Sequence, residues 1–173
     1  IVEGTKCVLD TIDYFTPYAI VATKQWAETQ RDKINEEVLM TATPTQISQI
    51  SSLSTASDVV AIYQLPEWEL DKCQLEDNLT LVLDGVQDPG NLGTILRTAD
   101  ALDVPVVLLE GCADPYSHKV VRSSMGAVFR VQPVQACWQD VKAACAQAGI
   151  AVGVTALSER AKDLRQSDLK NMA

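Results

Sequence analysis

Along this chain, short apolar runs alternate with stretches in which apolar residues recur every three or four positions. From Leu79 onward the rhythm is clear. "LTLVLD" is apolar almost throughout, as strands of a parallel sheet are. "VPVVLL", "AVFRVQPV" and "IAVGVTA" read as three further strands. Between them lie three helical stretches: "LGTILRTADAL", "SHKVVRSSM" and "CWQDVKAACAQAG". In the first, Leu92, Ile95, Ala99 and Leu102 form the inner stripe. The last ends at Gly149, a natural helix stop. Strand and helix alternating at this spacing predict a parallel sheet with helices on both faces, an α/β class.

Residues 1–65 repeat the alternation on a smaller scale. Glu3 to Tyr14 reads as a helix with Val8 and Ile12 on one side. "YAIVAT", "EVLMTA" and "DVVAIYQ" read as strands, and "WAETQRDK" as a helix. Thr43 followed by Pro44 is a helix start, cap then first turn, with Ile47 and Ile50 on one face. "PEWELDKCQLEDN", from Pro66 to Asn78, is polar, acidic and poorly periodic. It reads as a linker over 66–77, dividing the chain into units 1–65 and 78–173.

Composition supports a packed protein, with 47% hydrophobic residues in 173. No run of 18 apolar residues predicts a membrane span, and no basic stretch leads into an apolar one as in a signal peptide. The five cysteines are odd in number, with no CxxC, which points to free thiols and a reducing, cytoplasmic setting. One histidine, His118, leaves little for a metal site or a triad. The net charge of -9 disfavours a broad basic face for nucleic acid. That charge is uneven. Residues 1–77 carry 5 basic and 13 acidic side chains, and residues 78–173 carry 9 and 10. An anionic substrate therefore suits the second part.

Candidate chemistry gathers at "LVLDGVQDPGNLGTILRTAD", Leu81 to Asp100. In open α/β sheets the ligand crevice lies at the C-terminal ends of the strands. Here the strand end meets Gly85, Gly90 and Gly93, and the run is neither GxGxxG nor a Walker loop. Taken alone, Asn91 reads as a helix cap, and Arg97 as an exposed i,i+3 partner of Asp100. Asp88–Pro89 and Asp114–Pro115 read as turn signals.

The longer pattern adds a second reading. "LDGVQDPGNLGTILRTA", Leu83 to Ala99, resembles the first motif of the SpoU/TrmH family of RNA 2'-O-ribose methyltransferases. "KVVRSSMGAVFRV", Lys119 to Val131, resembles another segment typical of that family, and "VEGTKCVLD" looks like the opening of its small substrate-binding domain. The resemblance implies a trefoil-knotted parallel-sheet domain of the SPOUT type, preceded by a small L30e-like α/β domain. It also implies a homodimer, S-adenosyl-L-methionine as methyl donor, and RNA as substrate, ribosomal in preference to transfer RNA. Arg97 inherits the activating role and Asn91 an orienting one. Arg122 becomes a phosphate or partner-subunit contact, and Ser124 a hydrogen-bond donor near the crevice. Thr155, Ala156 and Leu157 match the first cofactor-contacting edge, and no metal is implied. For association, Trp138 and Val141 are the residues available for packing. The family's two remaining segments have no counterpart before "DLKNMA", so the expectation is a methyltransferase domain truncated before its cofactor loops. The alternative is a non-catalytic RNA- or protein-binding remnant of the same fold.

Overall fold

The computed structural model describes residues 1–65, 70, 79–156, 158–159, 161–163 and 165. Its first half runs β1 (Val2–Glu3), α1 (Thr5–Ile12), β2 (Pro17–Thr23), α2 (Lys24–Thr29), two 3-10 turns (Arg31–Lys33 and Glu36–Val38), β3 (Leu39–Ala42), α3 (Pro44–Ile50) and β4 (Val59–Tyr63). The four strands form one mixed sheet in the order β1-β4-β2-β3; only β2 and β3 are parallel. Local chemistry sets the helix starts. Thr43 accepts a hydrogen bond from the Gln46 backbone N–H at 3.3 Å, while the Gln46 side chain accepts one from the Thr43 N–H at 2.9 Å. This capping box with Pro44 behind it starts α3 where the sequence predicts. Ile47 is fully buried, but Ile50 is half-exposed in the last turn, so the predicted two-residue stripe is one residue.

The second half runs β5 (Leu81–Leu83), α4 (Pro89–Leu102), β6 (Val106–Leu108), α5 (His118–Ser123), α6 (Ala127–Val131), β7 (Val134–Gln135) and α7 (Trp138–Ala148). Its three strands are all parallel, in the order β5-β6-β7. β6 explains why such strands are apolar throughout. Val106 and Leu108 face a core shared with Leu92 and Leu96 of α4, while Val107 faces Val141 and Cys145 of α7. Both faces of the sheet are covered, as alternation predicts.

Three expectations need correction. "AVFRVQPV" is not one strand: Ala127–Val131 is a helix, and only Val134–Gln135 pairs with β6. Met125 and Gly126 both take positive φ and turn the chain so that Val128 and Phe129 pack inward. "IAVGVTA" forms no strand among the described residues. Residues 151–156 are exposed, and strand propensity without a neighbour to accept the backbone hydrogen bonds does not make a strand. The inner stripe of α4 is Leu92, Leu96 and Ala99; Ile95 is only half-buried and Leu102 is exposed. The expected linker lies outside the described residues except for Leu70, which packs against the Val107–Val141 cluster.

One apolar cluster joins the two sheets, running from Val2, Ile20 and Ala61 to Leu83, Leu96 and Val128. Phe15 lies edge-on to Tyr63, Tyr116 and Phe129, with ring centroids 5.6–6.4 Å apart. Such contacts contribute about 0.5–1.5 kcal/mol each beyond area burial. They anchor the α1–β2 corner on β4, on the loop before α5 and on α6. Among the described residues no helix is long and apolar enough to cross a membrane.

Candidate active site at the glycine-rich bend

The chain leaves β5 at Leu83, turns through Asp84 to Asp88, and enters α4. Gly85 takes φ +62, a left-handed conformation that glycine adopts without strain. Asp88 caps the helix, its carboxylate accepting from the Asn91 backbone N–H at 2.8 Å, and Pro89 fills the first turn. The cap is thus Asp88, and Asn91 is the third residue of the helix, with its side chain exposed. An open depression lies here, lined by Val86, Gln87, Asp88, Asn91, Thr94 and Ile95.

The next loop of the sheet straps the bend in place. The Leu109 and Ala113 N–H groups donate to the Leu83 and Val86 carbonyls, each at 2.9 Å. The Ser123 hydroxyl lies 2.7 Å from the Lys119 carbonyl of its own helix and 3.0 Å from the Pro89 carbonyl across the bend, and Lys119 pairs with Asp88 at 3.8 Å. Gly93 answers what the remaining glycine is for. A Cβ there would overlap Ser123 Oγ and stand 2.8 Å from both Ser123 Cβ and the Ser124 backbone nitrogen. Only glycine lets α5 lie this close to α4. Asp114 forms the expected turn, accepting from the Tyr116 N–H at 2.9 Å.

Arg97 is exposed on α4, one turn past Gly93 and on the same flank. Its expected partner is already engaged. Asp100 receives three hydrogen bonds from Arg130 of α6, at 2.6–3.0 Å, in a fork-to-carboxylate geometry. Both members are largely sheltered, their side chains 33% and 24% exposed. Among the described residues Arg97 makes no ion pair and no side-chain hydrogen bond. Arg130 is the residue that sequence reasoning missed. Read as part of a strand it had no address; as the last-turn residue of a helix crossing α4 it reaches Asp100.

The other predicted site residues separate. Arg122 is exposed in the last turn of α5. Ser124 is fully buried and its hydroxyl donates to the Val121 carbonyl at 3.0 Å, so its expected place at the crevice is corrected: it packs α5 instead. Thr155 and Ala156 are exposed in irregular chain, and Leu157 lies outside the described residues. Val141, expected at an outer packing surface, is buried against β6 and β7, whereas Trp138 is 41% exposed. His118 turns away from the bend and meets Ser52 at 3.3 Å. Cys7, Cys112, Cys137 and Cys145 are free thiols.

Residues 78–173 match the model of the SpoU rRNA Methylase family. Over 98 residues the chain is 40% identical to the mitochondrial rRNA methyltransferase 3B of Danio rerio, covering 53% of this chain and 22% of that protein. It is 37% identical over 89 residues to the 23S rRNA (guanosine(2553)-2'-O)-methyltransferase RlmP of Bacillus subtilis, covering 51% of this chain and 34% of that one. An AdoMet-bound rRNA methyltransferase from Sinorhizobium meliloti superposes with a TM-score of 0.71 at 31% identity, covering 85% of this chain and 57% of that one. The chain thus spans about a fifth to a third of these curated relatives. The zebrafish, frog, mouse and human relatives are mitochondrial by name, which overturns the cytoplasmic expectation. The family model covers more than half of the chain and takes in the bend, the Gly93 contact and both arginines of α4 and α6; the chain belongs to the SpoU rRNA methylase family.

Proposed function

We propose that this chain carries the ribose-activating part of an S-adenosyl-L-methionine-dependent RNA 2'-O-ribose methyltransferase acting on ribosomal RNA. The observation that carries the reading is Arg97, an exposed guanidinium one turn past the bend whose i,i+3 acid, Asp100, is already paired with Arg130. The rRNA and 2'-O names of the relatives support the substrate, and the AdoMet-bound homologue supports the donor.

A ribose 2'-hydroxyl is a weak nucleophile and must shed its proton as it attacks. The bound donor supplies an activated methyl group on a sulfonium. Guanidinium groups stay protonated in proteins, so Arg97 serves best by stabilising the developing alkoxide or holding the adjacent phosphate. Asn91, on the wall of the depression, holds the ribose in line. Arg122 offers a phosphate contact from α5. The described residues do not enclose a donor site, since Thr155 and Ala156 stand exposed. On family resemblance the same reading extends to a trefoil knot, an L30e-like first unit and a homodimer, for which the exposed Trp138 is available.

Arg97→Ala in the complete natural protein tests the reading. Methyl transfer should fall by the equivalent of about 3 kcal/mol, the scale of one lost oxyanion donor. Stability should change by a few tenths of a kcal/mol, since an exposed unpaired arginine holds little of the fold. Arg97→Lys should rescue poorly because it loses the planar fork. Tritiated-methyl incorporation into ribosomal RNA, with urea unfolding alongside, measures both. Near-normal transfer in Arg97→Ala removes the residue from the mechanism. RNA binding without any transfer by the natural protein favours the non-catalytic alternative.

A further inference from the structure

We infer that Arg130 is a positioning residue for Arg97: by occupying Asp100 it keeps the Arg97 guanidinium from folding back onto its own helix. The inference rests on the role proposed for Arg97. Asp100 stands three residues after Arg97, a spacing at which opposite charges on a helix meet. Left alone, Asp100 is the acid that helix spacing offers to Arg97. Arg130 pre-empts it from another helix, with Nε and Nη2 both bonded to the carboxylate. The competition is unequal. Arg130 forms a bidentate pair that is two-thirds sheltered from water, and it also feels Asp10 of α1 and Tyr14 just after it. Arg97 is exposed, so pairing would order a long side chain against solvent for little return. The outcome is a division of labour: one arginine satisfies the half-buried acid, and the other remains available at the bend. No other side chain among the described residues satisfies Asp100.

Removal of Arg130 should therefore do more than loosen α6. Arg130→Gln leaves the Asp100 carboxylate without its partner, and Arg97, three residues away on the same helix, is expected to replace it. Turnover should fall roughly tenfold, the scale of one charged hydrogen bond redirected, with RNA binding changed less. The double variant Arg130→Gln/Asp100→Asn removes the trap as well and should recover most of the loss. A purely structural role for Arg130 predicts the reverse, because the double variant keeps the disrupted α4–α6 contact. Nitrogen-15 side-chain NMR gives a readout independent of activity. The Arg97 Nε–H should exchange freely in the natural protein, become protected in Arg130→Gln, and exchange freely again in the double variant. Should Arg130→Gln fail to fold, Arg130→Lys, which keeps the charge and loses the fork, should show an intermediate shift in the same direction. An Arg97 Nε–H unchanged by either substitution, or a double variant as slow as the single one, overturns the inference. A natural protein that transfers no methyl overturns the methyltransferase reading instead and leaves the NMR result to decide this one.

Discussion

The sheet of residues 1–65 and the sheet that starts at Leu81 share one core, yet they present different surfaces. The first is mixed in direction, and its polar devices are turned on itself. Thr43 and Gln46 close a capping box, Arg31 pairs with Glu36, and Glu3 collects Ser51 and Ser52. The second is all parallel among the described residues, so its strands end at the same edge, where residues 84–88 and 109–117 form the longer loops. At that edge the bend, α4 and α5 are locked together by backbone bonds and by Gly93, and Arg97 and Arg122 are left facing water. In this molecule the paired polar groups hold the architecture, and the exposed cations beside the rigid bend are the ones proposed to meet RNA. Charge points the same way: the first 77 residues are strongly acidic, while the remainder is near balance.

Substitutions in each region sharpen the contrast. The largest structural effect should come from Gly93→Ala. Its helix-propensity gain of about 1 kcal/mol opposes an overpacking penalty of about 1–3 kcal/mol, occasionally more. Because one clashing atom is the Ser124 backbone nitrogen, the penalty should win and methyl transfer should fall with it. Gly153→Ala, where nothing lies within 4 Å of the added carbon, is the control. Equal urea midpoints for the two variants would mean that α5 does not lean on Gly93.

A smaller effect is expected in the first sheet. Thr43→Ala opens the capping box and should lower stability by about 1 kcal/mol, while leaving transfer per folded molecule unchanged. A matching loss of turnover in folded protein would erase the distinction between the two regions. The smallest effect should appear only in acid. Burial raises the Glu3 carboxyl, but hydrogen bonds from Ser51 and Ser52 and the neighbouring His118 outweigh it, so the group lies below its ordinary value. A depressed carboxyl contributes stability in full above its unfolded pKa, and that contribution fades as pH falls through the folded value. Glu3→Gln should therefore flatten the stability curve below about pH 4.5 relative to the natural protein and match its slope near neutrality. Parallel curves across the acid range would show that Glu3 contributes nothing through its charge.

Much of this architecture is local and therefore legible. Thr43–Pro44 starts a helix wherever it stands, Gly149 ends one, and the run at Val106–Leu108 can only be a strand covered on both sides. The bend at Gly85–Gly93 and the family pattern around it are likewise carried by the residues themselves. The rest depended on partners far away in the chain. Ala127–Val131 has strand-like composition, and the packing of Val128 and Phe129 against α4 and Phe15 made it a helix. Ile150–Ala156 has the composition of a strand and is irregular because no neighbour pairs with it among the described residues. Ser124 looks like a donor until its burial is known. Asp100 lies within reach of Arg97 by spacing alone, and only the crossing of α6 over α4 gives it to Arg130. Short-range steric and hydrogen-bond preferences are written residue by residue, whereas burial and charge pairing belong to surfaces that exist only once the helices have packed.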